Sequence, residues 1–439
     1  MNNKARDNKG YRDGYTKGFD TGYADGYRRA QSESAVHKTA YFEGTSIIIP
    51  TYNQVNYLKE CIDSIFQYTN SSFELIIVDN ASEDGTAEYL QSCKGIRYQI
   101  NPENLGFSGA VNQGLRMARG TTLLILNNDA VVTTHWLDNL LHCLNSNSKF
   151  GIVGPVTNYI SGEQLIDVSY TNMAEMQEFS QVYNHSNAQR WYVTSRLTGF
   201  CMLLRRKDFI RLGYFDEGFE IGNCEDDDYG LRARLLGMQL IIAKDTFIHH
   251  YGSVSMKSLN SRFEQVYANN LSFYSEKWSD PHGMLSLDWQ RNANLQTIDS
   301  YPTCVMVQGT GEETYWIQNG RRYPISGVPW LQAVRVSQVD LSNWHLCEEI
   351  SAEEVNRRIQ SVYHSSVLDG DMEGKLVKMQ DGSVYQCKEN KMHRFINRQT
   401  LAVWQLESYQ PWHVNEYEMK KYKEGAPIIT PPVIKANNI

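Results

Sequence analysis

No Cys-x-x-Cys pair occurs in this chain, and no cysteine–histidine spacing of the zinc-knuckle kind; its eight cysteines are scattered from Cys61 to Cys387. A disulfide framework is therefore not expected, and a reducing compartment is the simpler reading. Long apolar runs are missing as well, since none approaches the roughly 18 residues that suggest a membrane span. The opening Met1-Asn2-Asn3-Lys4-Ala5-Arg6-Asp7 lacks the apolar core of a signal peptide, so a soluble, cytoplasmic protein is expected. Basic charge is not in excess either. A net charge of −8 over 439 residues gives no general footprint for nucleic acid.

What is present is a composition that can bury a core, 41% hydrophobic and 21% charged, at a length that fits one to three domains. Tyrosine stands out, with 27 residues against 15 Phe and 9 Trp, and its flat apolar face with a polar tip suits binding surfaces. The first region, residues 1–43, is a short-period repeat in which Gly10-Tyr11, Gly14-Tyr15, Gly18-Phe19, Gly22-Tyr23 and Gly26-Tyr27 recur every fourth residue. On a helix each such step advances about 40° past a full turn, so the glycines and aromatics form slowly winding stripes suited to self-association. Glycine weakens an isolated helix by roughly 0.8–1 kcal/mol per residue relative to Ala, so the extension reads as helical on association or disordered.

The second region, residues 44–285, alternates short apolar runs with amphipathic stretches. Ser46-Ile47-Ile48-Ile49-Pro50, Phe73 to Val78 and Thr121 to Leu126 each end in a polar cluster, while Tyr57 to Tyr68 carries apolar residues at helical spacing. Buried strands separated by helices predict an α/β fold with a parallel sheet, whose ligands bind beyond the carboxyl ends of the strands. The residues directly after each run are therefore the candidates for chemistry.

After the first run stands Pro50-Thr51-Tyr52-Asn53. After the second stands Asp79-Asn80-Ala81-Ser82-Glu83-Asp84-Gly85-Thr86, where Asp79 can accept hydrogen bonds from a base N–H or a ribose hydroxyl. The stretch Asn101 to Gly114 opens a helix with glycines and short polar residues, and free N–H groups there suit a diphosphate, although the lysine of a P-loop is missing. The run Leu123-Leu124-Ile125-Leu126 leads straight into Asn127-Asn128-Asp129-Ala130. One such carboxylate plus a later histidine suffices for a divalent cation on a diphosphate, because phosphate oxygens and water fill most of the shell. Glu225-Asp226-Asp227-Asp228 begins another helix with more carboxylates than the macrodipole calls for, and their repulsion raises proton affinities, as near a general base or a metal. Last, Ile248-His249-His250 follows the apolar Leu240-Ile241-Ile242. Singly, each cluster reads equally well as a cap, a turn or packing; their recurrence at successive strand ends points to a site.

Taken in order, Pro50-Thr51-Tyr52-Asn53, Val78-Asp79-Asn80, Asn104-x-Gly106-Phe107, Asn127-Asn128-Asp129-Ala130, Thr198-Gly199-Phe200, Phe215-Asp216-Glu217, Glu225-Asp226-x-Asp228 and His249-His250 resemble the family 2 glycosyltransferases of the GT-A fold. The resemblance spans roughly Thr45 to Ser255 and is nearest to a subgroup of bacterial rhamnosyltransferases and related cell-surface or spore-associated enzymes. It implies a Rossmann-like α/β domain with a mixed, mostly parallel sheet. It also implies inverting transfer of a sugar from a UDP- or dTDP-sugar to a hydroxyl of a glycan, lipid-linked or protein acceptor, with Mg²⁺ or Mn²⁺ on the diphosphate. A place in surface or spore glycan synthesis, and a cytoplasmic location peripheral to the membrane or to spore assembly, come with it.

Residue by residue, the resemblance sets Pro50, Thr51, Asn53 and Asn128 among the substrate-binding residues and Asp79 on the base, with Asn104, Gly106 and Asn112 along the ribose-diphosphate. Asp129 matches the carboxylate that ends the family's metal motif, whose first position is here Asn127 in place of Asp, and His250 or His249 would be the second ligand. Asp226 matches the general base, with Glu225 and Asp228 close enough to take the role.

The third region, residues 300–439, reads as a small β-rich module with an internal duplication. Gly311 to Ile325 can be laid against Gly382 to Ile396, each a strand, a tight turn at Asn319-Gly320 or Glu389-Asn390, and a second strand. A helical stretch with Trp follows each, Trp330-Leu331-Gln332 and Trp404-Gln405-Leu406. Tyr315, Trp316, Tyr323, Tyr385, Trp404 and Trp412 either stack on sugar rings of an acceptor or fill small cores. Asn269, Asn270 and Trp278 are placed at the border of the acceptor cleft. The competing reading is a catalytically inactive scaffold binding a glycan or coat protein, against which the intact Asp129 and Glu225-Asp226 argue. A sugar nucleotidyltransferase would need a glycine-rich, basic loop near the first strand, which is missing.

Overall fold

In a computed structural model that describes residues 41–252, 262–279, 295–364 and 372–435, the run Ile47-Ile48-Ile49 lies near the middle of a large sheet. The Gly-aromatic repeat lies outside the described residues. The chain forms β1 (Phe42–Thr51), β2 (Phe73–Asp79), β3 (Arg97–Ile100), β4 (Gly120–Leu126), β5 (Ala130–Val131), β6 (Phe150–Val156), β7 (Trp191–Thr194), β8 (Cys201–Arg205), β9 (Gln239–Phe247) and β10 (His249–His250). Between them run α1 (Val55–Tyr68), α2 (Thr86–Ser92), α3 (Gly106–Met117), α4 (Trp136–Ser146), α5 (Met173–Tyr183), α6 (Arg206–Leu212) and α7 (Glu225–Leu235), with α8 (Phe263–Trp278) following β10. Eight strands make one sheet in the order β3-β2-β1-β4-β8-β6-β9-β7. The pairs β1/β2, β1/β4, β2/β3 and β6/β9 are parallel, and β4/β8, β6/β8 and β7/β9 antiparallel, so the sheet is mixed and mostly parallel.

Alternation of side chains across each strand splits the isoleucine and leucine runs between two cores. Ile48, Ile76, Val78, Leu123 and Ile125 face Val111 and Leu115 of α3. Ile47, Ile49, Leu75, Ile77, Leu124 and Leu126 face Leu58, Ile62 and Ile65 of α1 and Leu140 of α4. Burial on both faces explains why these strands read as unbroken apolar runs. Gly114 lets α3 approach closely, because a Cβ there would stand 2.2 Å from Ile48 Cγ2.

Beyond α8 the chain forms a six-stranded and a five-stranded sheet that share a five-strand path of matching topology, the sixth strand being Ile350–Ser351 beside Ile325–Ser326. The strands Val305–Gln308, Thr314–Gln318 and Arg321–Ser326 form an antiparallel meander flanked by the short parallel strands Val334–Arg335 and His345–Leu346. Leu376–Lys378, Val384–Lys388 and Lys391–Arg394 do the same with Trp412–His413 and Lys423–Glu424. Both hairpins turn on two positive-φ residues, Asn319-Gly320 at 52° and 65° and Glu389-Asn390 at 53° and 58°, the pattern of a type I′ turn. The expected tryptophan helices differ. Trp404 caps a helix at Arg398–Val403 and is buried, whereas Trp330 is 68% exposed and outside any helix. Gly327 at φ 87° and Pro329 interrupt the chain there, so the first copy has no helix between its hairpin and its next strand.

The expected division at residues 285–300 is not a division in packing. Leu231 and Leu235 of α7 and Trp278 of α8 share one core with Tyr301, Val305, Trp344, Trp404 and Ile428. Near the chain end, Ile434 enters the core that faces α3. Among the described residues no helix is long and apolar enough to cross a membrane.

Candidate active site

Parallel pairing of β1 with β2 and β4 delivers Thr51, Asp79 and Asn127 to Asp129 to one rim of the sheet. Antiparallel β8 starts on the same rim, Cys201 opposite Leu126, and Asn127 N–H donates to Phe200 O at 2.9 Å. Hydrogen bonds stitch this rim together. Asn128 Nδ2 donates to Thr51 Oγ1 at 2.9 Å, Asn53 N–H to Ser82 Oγ at 2.6 Å, Glu83 N–H to Asn53 Oδ1 at 2.8 Å and Val55 N–H to Asp84 Oδ2 at 2.8 Å. Asn53 itself takes φ 56°, a left-handed conformation that Asn tolerates better than most residues. Thr51, Asn53 and Asn128 thus shape the rim through each other, with Pro50 paired inside the sheet to Val78.

Asp79 is buried at the end of β2. Its Oδ1 accepts from the backbone N–H of Ser82 at 3.2 Å and from the Ser82 hydroxyl, while Oδ2 is buried with no hydrogen-bond partner. Burial pushes its carboxyl above the usual range, although the Ser82 bonds pull the other way. A buried acceptor without a donor carries its full desolvation cost until a ligand N–H or O–H meets it. Beside it, Asn80 Nδ2 donates to Gly106 O at 2.9 Å and Asn80 Oδ1 accepts from Asn101 Nδ2 at 2.9 Å. Asn104 Oδ1 accepts from Gly106 N–H at 2.9 Å, and Gly106 sits at φ 73° with Ile221 N 3.1 Å from where a Cβ would be. Asn112 lies elsewhere. Its amide donates to Phe215 O and Glu217 Oε1 and accepts from Phe215 N–H, each at 2.9 Å, so it is spent holding the segment before α7 and not lining an open site.

Of the two histidines, the structure brings one against Asp129. His250 Nε2 lies 3.1 Å from Asp129 Oδ1, and its ring stacks on Phe200 with centroids 5.2 Å apart. His250 Nδ1 donates to Tyr159 O at 2.8 Å, since a carbonyl can only accept, and this turns Nε2 toward the carboxylate. A histidine oriented by a backbone carbonyl, with its other nitrogen beside a carboxylate, fits a pair of cation ligands. No group of three or more metal-ligating side chains occurs among the described residues, so the remaining ligands would come from a diphosphate and water. His249 points to the other face of its strand, its Nδ1 2.6 Å from Tyr170 Oη, and burial with the neighbouring His250 pushes it down to about 4.

The four carboxylates of α7 separate by helical geometry. Asp226 Oδ2 accepts from Gly199 N–H and Oδ1 from Asp227 N–H, both at 2.9 Å; burial, then the Asp227 charge, pushes it up to about 6. Through Gly199 and Phe200 it joins the rim that holds Asp129. Glu225 keeps one buried oxygen without a partner, and burial followed by the Asp226 charge raises it well above the carboxylate range. Asp228 differs in kind. It is fully buried and accepts from Arg232 Nε at 2.8 Å, Lys277 Nζ at 2.5 Å and Trp278 Nε1 at 2.9 Å. Burial opposes its ionisation, yet Lys277 and Arg232 hold it below the usual range. Two residues along a helix is a rotation of about 200°, so Asp228 faces the core behind α7 and is removed from the candidate bases.

Residues placed at an acceptor cleft also move inside. Trp278 is buried on Asp228, and Asn270 Nδ2 donates to Glu220 O, Gly222 O and Asn223 O, tying the loop before α7 to α8. Asn269 stays exposed. Among the C-terminal aromatics, Tyr315, Trp316 and Trp404 are core residues, while Tyr323, Tyr385 and Trp412 are half-buried. Gly199, Tyr159, Phe200 and Lys277 carry site contacts without having been given roles from sequence; for the first and third the only signal was Thr198-Gly199-Phe200 within the motif order.

The glycosyltransferase GlyA of Streptococcus pneumoniae is 25% identical over 189 residues, 42% of this chain and 27% of that protein. An uncharacterised glycosyltransferase, EpsJ of Bacillus subtilis, is 30% identical over 199 residues, 43% of this chain and 55% of that protein. The chain thus spans about a quarter to a half of the length of these two relatives. A mannosyltransferase from Pyrobaculum calidifontis, solved with GDP-Man and Mn²⁺, is 21% identical with a TM-score of 0.36, covering 48% of this chain and 57% of that one. The model of the family described as Glycosyl transferase family 2 matches residues 46–213.

Proposed function

We propose that the protein is an inverting glycosyltransferase using a nucleotide-diphosphate sugar. The observation that carries this reading is the grouping on one rim of three distinct chemical tools: an unpartnered buried carboxylate oxygen on Asp79, the Asp129–His250 pair, and the buried Asp226 carboxyl held on Gly199 N–H. Asp79 Oδ2 would accept from a base N–H, and the start of α3 at Gly106 would lie along the sugar-phosphate side. Asp129 and His250 would hold Mg²⁺ or Mn²⁺. Such an ion, when bound, stabilises charge on a departing diphosphate.

Asp226 would take the proton of the acceptor hydroxyl as its oxygen attacks the anomeric carbon opposite the leaving group, and that single displacement inverts the configuration. Its two backbone N–H donors fix the carboxylate while leaving lone pairs for that proton. The motif order extends the proposal to a hydroxyl acceptor in bacterial surface or spore glycan synthesis, with a cytoplasmic site of action. The test is nucleotide release from a panel of UDP-, dTDP- and GDP-sugars with Mn²⁺, measured with and without Asp226→Asn. Release that survives Asp226→Asn moves the base to Glu225. Nucleotide binding without release from any donor favours the scaffold.

A further inference from the structure

Behind α7 lies a buried charge cluster that the chemistry above does not use. Lys277 Nζ on α8 reaches Asp216 Oδ2 at 2.6 Å and Asp228 Oδ1 at 2.5 Å, and Asp228 is shared with Arg232. All four side chains are nearly inaccessible, so two carboxylates and two cations neutralise one another away from water. The four residues come from three pieces of structure. Asp216 opens the loop that runs to α7, Asp228 and Arg232 stand on α7, and Lys277 lies in the last turn of the helix that packs on the C-terminal sheets.

The same loop is held from two further sides. Asp216 Oδ1 accepts from Val433 N–H at 3.0 Å, Glu217 N–H donates to Val433 O at 2.9 Å, and Glu217 Oε2 accepts from Lys435 N–H at 2.6 Å. Arg232 closes the cluster on the chain before Asp216, with Nη1 on Leu212 O at 3.2 Å and Nη2 on Tyr214 O at 2.9 Å. The loop between Asp216 and Glu225 contains Ile221, Asn223 and Cys224, all at positive φ. A segment with three positive-φ residues other than glycine among four successive positions keeps its shape only where its surroundings over-determine it. The cluster at one end and Asn270 in the middle supply that constraint.

We infer that Lys277 is a positioning residue: by clamping Asp216 and Asp228 together it fixes the loop and the first turn of α7, and so sets where Asp226 stands against Gly199. This rests on the proposed glycosyl transfer only for its kinetic consequence. It makes the C-terminal half, which supplies Lys277 its packing and Asp216 its backbone donor, part of the catalytic apparatus without contact to substrate. Asp79, which would meet the base, lies on the far side of β1, whereas Ile221 of the clamped loop accepts from Phe107 N–H at 2.7 Å and so touches the start of α3.

The experiment compares Lys277→Met, Lys277→Arg and the milder Asp216→Asn with the wild-type chain. Hydrogen exchange followed by mass spectrometry reads the amides of residues 216–226, and nucleotide release from UDP-, dTDP- and GDP-sugars with Mn²⁺ gives kcat and KM. Faster exchange confined to 216–226 in Lys277→Met or Asp216→Asn, reversed by Lys277→Arg, is expected. With it, kcat should fall at least tenfold, by more than donor KM rises. Unchanged exchange in that segment, or exchange that rises across the whole protein in every variant, overturns the inference; so does an unchanged kcat. If the wild-type protein releases no nucleotide, the transfer reading falls while the exchange comparison still decides the clamp.

Discussion

Replacing Asp226 by Asn should remove activity and yet make the protein more stable at neutral pH. In the folded chain burial and Asp227 raise the Asp226 carboxyl from 3.8 to about 6. A carboxyl raised on folding leaves stability unaffected below its unfolded value and costs stability progressively as pH rises through the folded value. The full cost is about 3 kcal/mol, reached above pH 7. Asn carries no charge and avoids it. Against this, the carboxylate accepts from both Gly199 N–H and Asp227 N–H, whereas an amide oxygen serves one and leaves its NH₂ facing the other donor. That loss is about 1 kcal/mol. The difference in unfolding free energy should therefore favour Asp226→Asn by about 2 kcal/mol at pH 8 and by a smaller amount at pH 5. Urea unfolding of the two proteins, run side by side at pH 5, 6, 7 and 8, reads the trend. A variant less stable than wild type at pH 8, or a difference that does not vary with pH, would show that Asp226 is not held as a destabilised base.

Because a protonated Asp226 cannot accept a proton, kcat for nucleotide release should drop as pH falls below about 6, which a pH–rate profile at saturating donor measures. Removing either partner of the Asp129–His250 pair by Ala should abolish the stimulation of release by Mn²⁺, whereas His249→Ala, whose ring faces Tyr170, should keep it; a metal titration of the three variants distinguishes them. Asp79→Ala should weaken nucleotide binding by about tenfold or more, the loss of one buried charge-assisted hydrogen bond, as read by calorimetry with UDP, dTDP and GDP. In the C-terminal sheets, Trp404→Ala should cost about 3–5 kcal/mol of stability, while the exposed Trp330→Ala should change it by under about 0.5 kcal/mol, a contrast visible in urea midpoints.

The tyrosine excess, which suits binding surfaces, has two addresses. The Gly-aromatic repeat lies outside the described residues. In the C-terminal half, Tyr301 and Tyr315 are buried, Tyr301 packed against Trp344 and Trp404, so part of the excess is core filling and not surface.

The sequence by itself determined the α/β alternation and the rim. A buried parallel strand must be apolar on both faces and must end where polar residues begin, so Thr51, Asp79 and Asp129 are marked by their position alone. Local turn chemistry was legible for the same reason, as at Asn319-Gly320. What only the tertiary structure decided is which members of each cluster face the site. His249 and His250, or Asp226 and Asp228, are equivalent as text; they differ because Tyr159 turns one histidine from 91 residues away and Lys277 claims one carboxylate from 49 residues away. Likewise the apparent break before residue 300 vanishes in the packing, because Leu231 and Leu235 on the rear of α7 need an apolar partner that the C-terminal sheets provide. Strand and turn patterns are local and survive in a linear chain, whereas side-chain direction is fixed by contacts with segments that the sequence holds far apart.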